Sequence, residues 1–229
     1  MHLPYVLKTK AYCSGFEVAR KEIEVPTSES IKAATRRVTR VRGLRKTHEE
    51  FVRIPSERLR ELEIWGGTPE SREFIADVLN MNSAHEVGAV LSRYGELSFL
   101  ATYTDEPGAE VYKVHEQLYL RGLLRSYLQA CEQGNFITAR EATIAMDMEH
   151  PMEFTLRLSP FGNTFGPVLE TSIPIIFAMM ELSTQAWGGQ HVTMCQHCHR
   201  FVFVKKMKGT RFCSARCRVA NHRAKTYAV

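Results

Sequence analysis

From position 191 to its end the chain contains no aspartate and no glutamate, although it holds 25 of them before that point. The same stretch carries nine Lys and Arg residues, which leaves residues 1–190 with 21 basic against 25 acidic side chains. An acid-free basic tail on a mildly acidic body excludes a tail neutralised by its own carboxylates and favours a polyanionic partner. Long apolar runs are also missing. The longest, Ile173 to Met180, holds Pro174 and falls well short of the ~18 residues that span a bilayer. The first residues show neither the basic n-region nor the apolar h-region of a secretory signal, so a cytoplasmic protein with no membrane partner is expected.

Catalytic patterns are equally scarce. No glycine-rich phosphate loop is present, since Gly66-Gly67 alone reads as a turn. Thr47-His48-Glu49-Glu50 lacks the second histidine of a metalloprotease helix. Asp147, Glu149, His150 and Glu153 cluster around Pro151 and read as an acidic helix end. Cys13 and Cys131 have no local base to activate them, and Cys131 falls on an apolar helix face. A non-enzyme without a small-molecule substrate is the expectation. No internal repeat, low-complexity tract or long linker divides the chain.

Four of the six cysteines are concentrated at the end. Cys195, Cys198, Cys213 and Cys217 have the spacing C-x2-C-x14-C-x3-C. Two close pairs of soft thiolates close a tetrahedral shell around Zn²⁺, each pair from one turn. Four filled positions make such an ion structural and leave none for catalysis. His197, His199 or His222 replacing one cysteine is the alternative ligand set; His191 reads as a surface residue.

Around these ligands the order of residues predicts a treble-clef-like finger over residues 191–229. Met194 to Cys198 forms the first turn, Phe201–Val204 pairs with the segment near Thr210 to Phe212, and Lys205 to Gly209 makes the tip. Ser214 caps a final helix that runs to Tyr227. Helical spacing turns Cys217, Ala220, Ala224 and Tyr227 inward and Arg218, Asn221, His222 and Lys225 outward. Candidate nucleic-acid contacts are Lys205, Lys206, Lys208, Arg216, Arg218, Asn221, His222, Arg223 and Lys225, whose chemistry suits phosphates and base edges. DNA, RNA and a protein surface remain alternative partners, and homodimerisation is left open.

The body, residues 1–190, reads as mostly helical with a β-rich start. Tyr5–Tyr12 and Phe16–Val25 alternate as a β-hairpin about Ser14-Gly15. Residues 31–46 are rich in Lys and Arg and suit either helix or strand, as a second nucleic-acid contact or a solvated face. Helices are predicted after Thr68-Pro69, after Ser83, over Ala109–Gln133, over 136–148 and over Ser172–Trp187. Phe154, Leu156 and Leu158 read as a strand leading into a turn region, Pro160 to Pro167. The fold class expected is mainly α with minor β elements, an α+β protein ending in a zinc finger that sits against the body.

The segment Cys195–Phe201, with Arg211-Phe212-Cys213-Ser214, Cys217 and Arg223-Ala224-Lys225, resembles the bacterial CGNR-type and FCS-like zinc fingers. Arg93 to Leu97 and the helix 172–187 resemble the same architecture upstream. The resemblance implies a mostly helical ABATE-like domain, a connecting helix and a role in transcription regulation. The tetrapeptide Cys-Gly-Asn-Arg is here Cys217-Arg218-Val219-Ala220, so the metal ligand carries over and the Gly-Asn-Arg part does not.

Overall fold

The computed structural model describes residues 4–12, 15–26, 44–56, 59–97, 102–103, 108–133, 155–161, 164–188, 190–205 and 212–226. These form ten strands, β1 (Tyr5–Tyr12), β2 (Glu17–Pro26), β3 (Leu44–Pro55), β4 (Leu59–Trp65), β5 (Thr102–Tyr103), β6 (Ala109–Lys113), β7 (Thr155–Phe161), β8 (Thr164–Thr171), β9 (Gln190–Met194) and β10 (Phe201–Lys205). Five helices accompany them: α1 (Pro69–Asn80), α2 (Ala84–Tyr94), α3 (Val114–Gln133), α4 (Pro174–Gly188) and α5 (Ala215–Thr226). The expectation of a mainly helical protein is therefore corrected. Strand and helix contribute comparably, and the protein is α+β with three sheets, ordered β4-β1-β8-β7, β2-β3-β6-β5 and β10-β9.

Three local expectations change for one reason: long-range pairing overrides local pattern. The first two strands form where alternation places them, but they do not pair with each other. β1 lies between β4, antiparallel, and β8, parallel, while β2 pairs with β3 in the second sheet. Residues 109–113, expected as the start of the longest helix, are β6 instead. Val52↔Tyr112 and Ile54↔Glu110 zip them to β3, and Tyr112 is fully buried. The expected turn region between Pro160 and Pro167 belongs to a hairpin, with Leu158 opposite Pro167 and Phe161 opposite Thr164.

The helices begin where their caps put them. Thr68 Oγ1 accepts the Ser71 N–H at 3.2 Å before Pro69, and Ser83 Oγ accepts the Glu86 N–H at 3.3 Å. Phe74, Ile75, Val78 and Leu79 of α1 and Val87, Val90 and Leu91 of α2 enter one core with Phe177 and Leu182 of α4. Full burial of a side chain of this size contributes roughly 1.5–3 kcal/mol. Gly95 ends α2 with φ 82°, and a Cβ there would lie 2.1 Å from the Lys10 carbonyl oxygen of β1. Only glycine meets both conditions. The basic segment up to residue 43, the helix expected at 136–148, the acidic cluster 147–153 and Cys13 lie outside the described residues, as does the Cys131 side chain.

Glu181, at 0% exposure, joins the parts. It projects from α4 and accepts the Tyr5 hydroxyl of β1, the Gly67 N–H at 2.9 Å and the Ser71 hydroxyl at 3.0 Å. A buried carboxylate persists only with such donors around it. Replacing it with alanine removes the acceptor these three donors share, while the Ser71 hydroxyl keeps the Thr68 carbonyl at 2.9 Å. Glu181→Ala is expected to destabilise the protein by about 3 kcal/mol, measured as a lowered urea midpoint, with Ser71→Ala costing clearly less.

Candidate metal centre

The first cysteine pair sits in the loop of the β9–β10 hairpin, whose register runs from Met194↔Phe201 to Gln190↔Lys205. The Cys195 N–H donates to the Arg200 carbonyl at 2.8 Å, and the His199 N–H to the Cys195 carbonyl at 2.9 Å. This tight turn places His199 at φ 55°, a left-handed conformation that a side chain resists. β10 takes β9 as its partner, Phe212 lies outside any strand, and Thr210 and Arg211, the rest of the segment expected to pair with Phe201–Val204, lie outside the described residues.

The hairpin is fastened to the body. Asn80, at the end of α1, receives the Phe201 N–H at 2.7 Å and donates to the Phe201 carbonyl at 2.9 Å, as a third strand would. The Arg125 guanidinium of α3 lies 4.9 Å from the centre of the Phe201 ring. Val192 is 4% exposed within the core, Phe203 packs on it, and Arg200 reaches Glu86 at 3.7 Å. A finger resting against the body, as expected, is what these contacts make.

The second pair comes from the start of α5. Ser214 Oγ accepts the Cys217 N–H at 3.2 Å, which caps the helix and sets Cys213 and Cys217 on one side of its first turn. All four sulfurs then lie within 4.8 Å of one another. Cys198 and Cys213 Sγ are 3.6 Å apart, and Cys213 and Cys217 Sγ 3.3 Å. In a tetrahedron of four sulfurs about 2.3 Å from a central ion the edges are about 3.8 Å, so the donor set fits one metal ion. Among the described residues no histidine joins this group.

The thiols also compete for charge. Burial raises the Cys195 thiol, but the N–H groups of Cys198, Cys213 and His197 outweigh it and bring it down to about 6. Cys213 is raised instead, first by its bond with the Cys217 thiol and then by burial. For Cys198 the Arg200 N–H lowers the thiol, yet burial and the neighbouring cysteine thiols leave it raised. All four become thiolates together only with a cation at their centre.

The proposed nucleic-acid residues divide. Arg216, Arg218, His222 and Arg223 are exposed on α5, while Asn221 is half-buried on the Cys217 side and Ala224 is exposed. The inward and outward faces are thus corrected at these two positions: Cys217 and Asn221 stand four residues apart, above the sulfur cluster. Lys206, Lys208, Arg211 and Tyr227 lie outside the described residues, as do the side chains of Lys205, Lys225 and His191.

Sequence reasoning missed a cleft of about 530 Å³ beside β1 and β4, because Glu96, Glu110 and Ser172 join its lining from distant parts of the chain. Lys8 there pairs with Glu63 and Glu170, and Glu110 accepts the hydroxyls of Tyr12 and Tyr112. Burial and the Glu110 contact hold the Tyr12 phenol well above its ordinary range. Among the described residues no helix is long and apolar enough to cross a membrane. No family model, no curated protein and no solved structure matches this chain.

Two outcomes follow from this geometry. Cys213→Ser is expected to abolish stoichiometric metal binding and melt α5 while the body keeps its unfolding transition, read by metal analysis and amide exchange. His199→Gly relieves the left-handed strain and is expected to tighten metal retention about fivefold against a competing chelator.

Proposed function

We propose that the metal is a single structural Zn²⁺ and that the finger it closes binds DNA, as a transcription regulator whose acidic body plays no catalytic part. Four thiolates are a soft donor set that suits zinc, and its closed shell supplies folding free energy on the order of 10 kcal/mol to a module too small for its own core. The resemblance to CGNR-type and FCS-like fingers points the same way.

One observation carries the DNA reading. Arg216, Arg218 and Arg223 stand exposed on α5, and among the described residues none of them makes an ion pair with a carboxylate of the body. A basic helix used to dock the finger on its own acidic body would spend these charges there. The finger's attachment runs instead through Asn80, Arg125 and Glu86 on the hairpin side. Phe201 and Phe203 are packed on the body, which disfavours an aromatic platform for stacked RNA bases or a protein partner.

The test is a duplex titration of the zinc-loaded protein across salt concentrations. With about four phosphates neutralised, affinity falls roughly a hundredfold between about 50 and 200 mM salt. Arg218→Ala lowers the slope by about 0.9. Absence of duplex binding at low salt, or binding indifferent to salt, contradicts the reading.

A further inference from the structure

The four sulfurs are not equally placed. Cys195 is 0% exposed and Cys217 half-buried, whereas Cys198 and Cys213 are exposed. These two belong to different arms of the site, one to the hairpin loop and one to the start of α5. Their sulfurs nevertheless stand 3.6 Å apart. The centre thus has an inner edge shielded by protein and an outer edge open to solvent.

Thiolates held in this state, accessible and beside a second sulfur, are what oxidants attack. We infer that Cys198 and Cys213 form an oxidation site for a small peroxide, which bridges the two arms by a disulfide and expels the metal. The inference rests on the metal reading above. In the first step one exposed thiolate attacks a peroxide oxygen and breaks the O–O bond. It becomes a sulfenic acid as hydroxide leaves. In the second step the thiolate of the other arm attacks that sulfur, the S–S bond forms and the S–O bond breaks with loss of a second hydroxide. Two thiolates, one hydrogen peroxide and two protons give one disulfide and two waters.

The sulfurs need only approach from 3.6 Å to the S–S length of about 2.0 Å. Cys198, exposed to the oxidant, has the exposed Cys213 across the arms at 3.6 Å. Losing two thiolates of four removes half of the ligand shell, so the ion leaves. The new bond spans the arms, and α5 stays tied to the hairpin that the body holds. Oxidation then exchanges one link between the arms for another, and a thiol reductant reverses it.

The experiment treats full-length protein, its metal content first measured, with hydrogen peroxide in the presence of a colorimetric zinc indicator. Alkylation of remaining thiols and peptide mapping without reduction follow. The expected result is one zinc released per disulfide, a cross-link between the Cys198 and Cys213 peptides, and recovery of zinc binding after dithiothreitol. Protein that carries zinc, keeps it under peroxide and retains all four thiols overturns this inference and leaves the metal reading intact. Bridges confined to Cys195–Cys198 or Cys213–Cys217 also overturn it. Folded protein that contains no metal overturns both. Glu86→Gln, which alters the Arg200 contact and the cap at Asn82 and Ser83 but no sulfur ligand, is expected to leave zinc release unchanged.

Discussion

Two short pieces of chain, separated by fourteen residues, must bring four sulfurs within 4.8 Å of one another, and the end of the protein depends on that meeting. Thiolates at such distances repel, and a divalent cation turns the repulsion into a shared attraction. Among the described side chains of α5, Cys217, Ala220 and Asn221 are half-buried and the others face solvent. It has almost no apolar face to bury. An isolated helix of 12 residues is marginal in water, so a metal ion on the four sulfurs would, with the Ser214 cap, supply the order that a core supplies elsewhere.

The two arms differ in how they are held. The hairpin arm belongs to the body: Asn80 completes its hydrogen bonding, Arg125 covers Phe201, and Val192 lies in the main core. That core is organised around Glu181, whose three donors come from β1, the turn before α1 and α1 itself. α4 carries Glu181 and leads directly into β9, so the platform under the metal centre and the central packing of the body are one piece. Rigidity on the inner side and exposure on the outer side follow from the same arrangement. The outer side carries the exposed arginines and the accessible sulfurs.

What could be read from sequence was whatever depends on short range. Thr68-Pro69, Ser83 with Glu86, Gly95 and Ser214 mark helix ends through bonds that close within a turn, and each stands where its residue type placed it. The cysteine spacing likewise encodes local geometry, and the four thiols converge. The sheets are different. β1 forms where it was expected, yet nothing within it says that its neighbours are β4 and β8 rather than β2. Val111 fits a helical stripe with Val114 and Leu118 as well as a strand, and only Arg53 opposite decides. Strand partners follow from burial on both faces of a completed sheet, which is a property of the whole chain. The strand content was underestimated for that reason, and so was the cleft around Tyr12 and Glu110.

X-ray absorption at the zinc edge tests the central claim most directly, since it reads the ion's own neighbours in the intact protein. A structural centre built by Cys195, Cys198, Cys213 and Cys217 gives four sulfur scatterers at about 2.3 Å and no lighter ligand. A shell containing nitrogen or oxygen, or fewer than four sulfurs, would contradict the account.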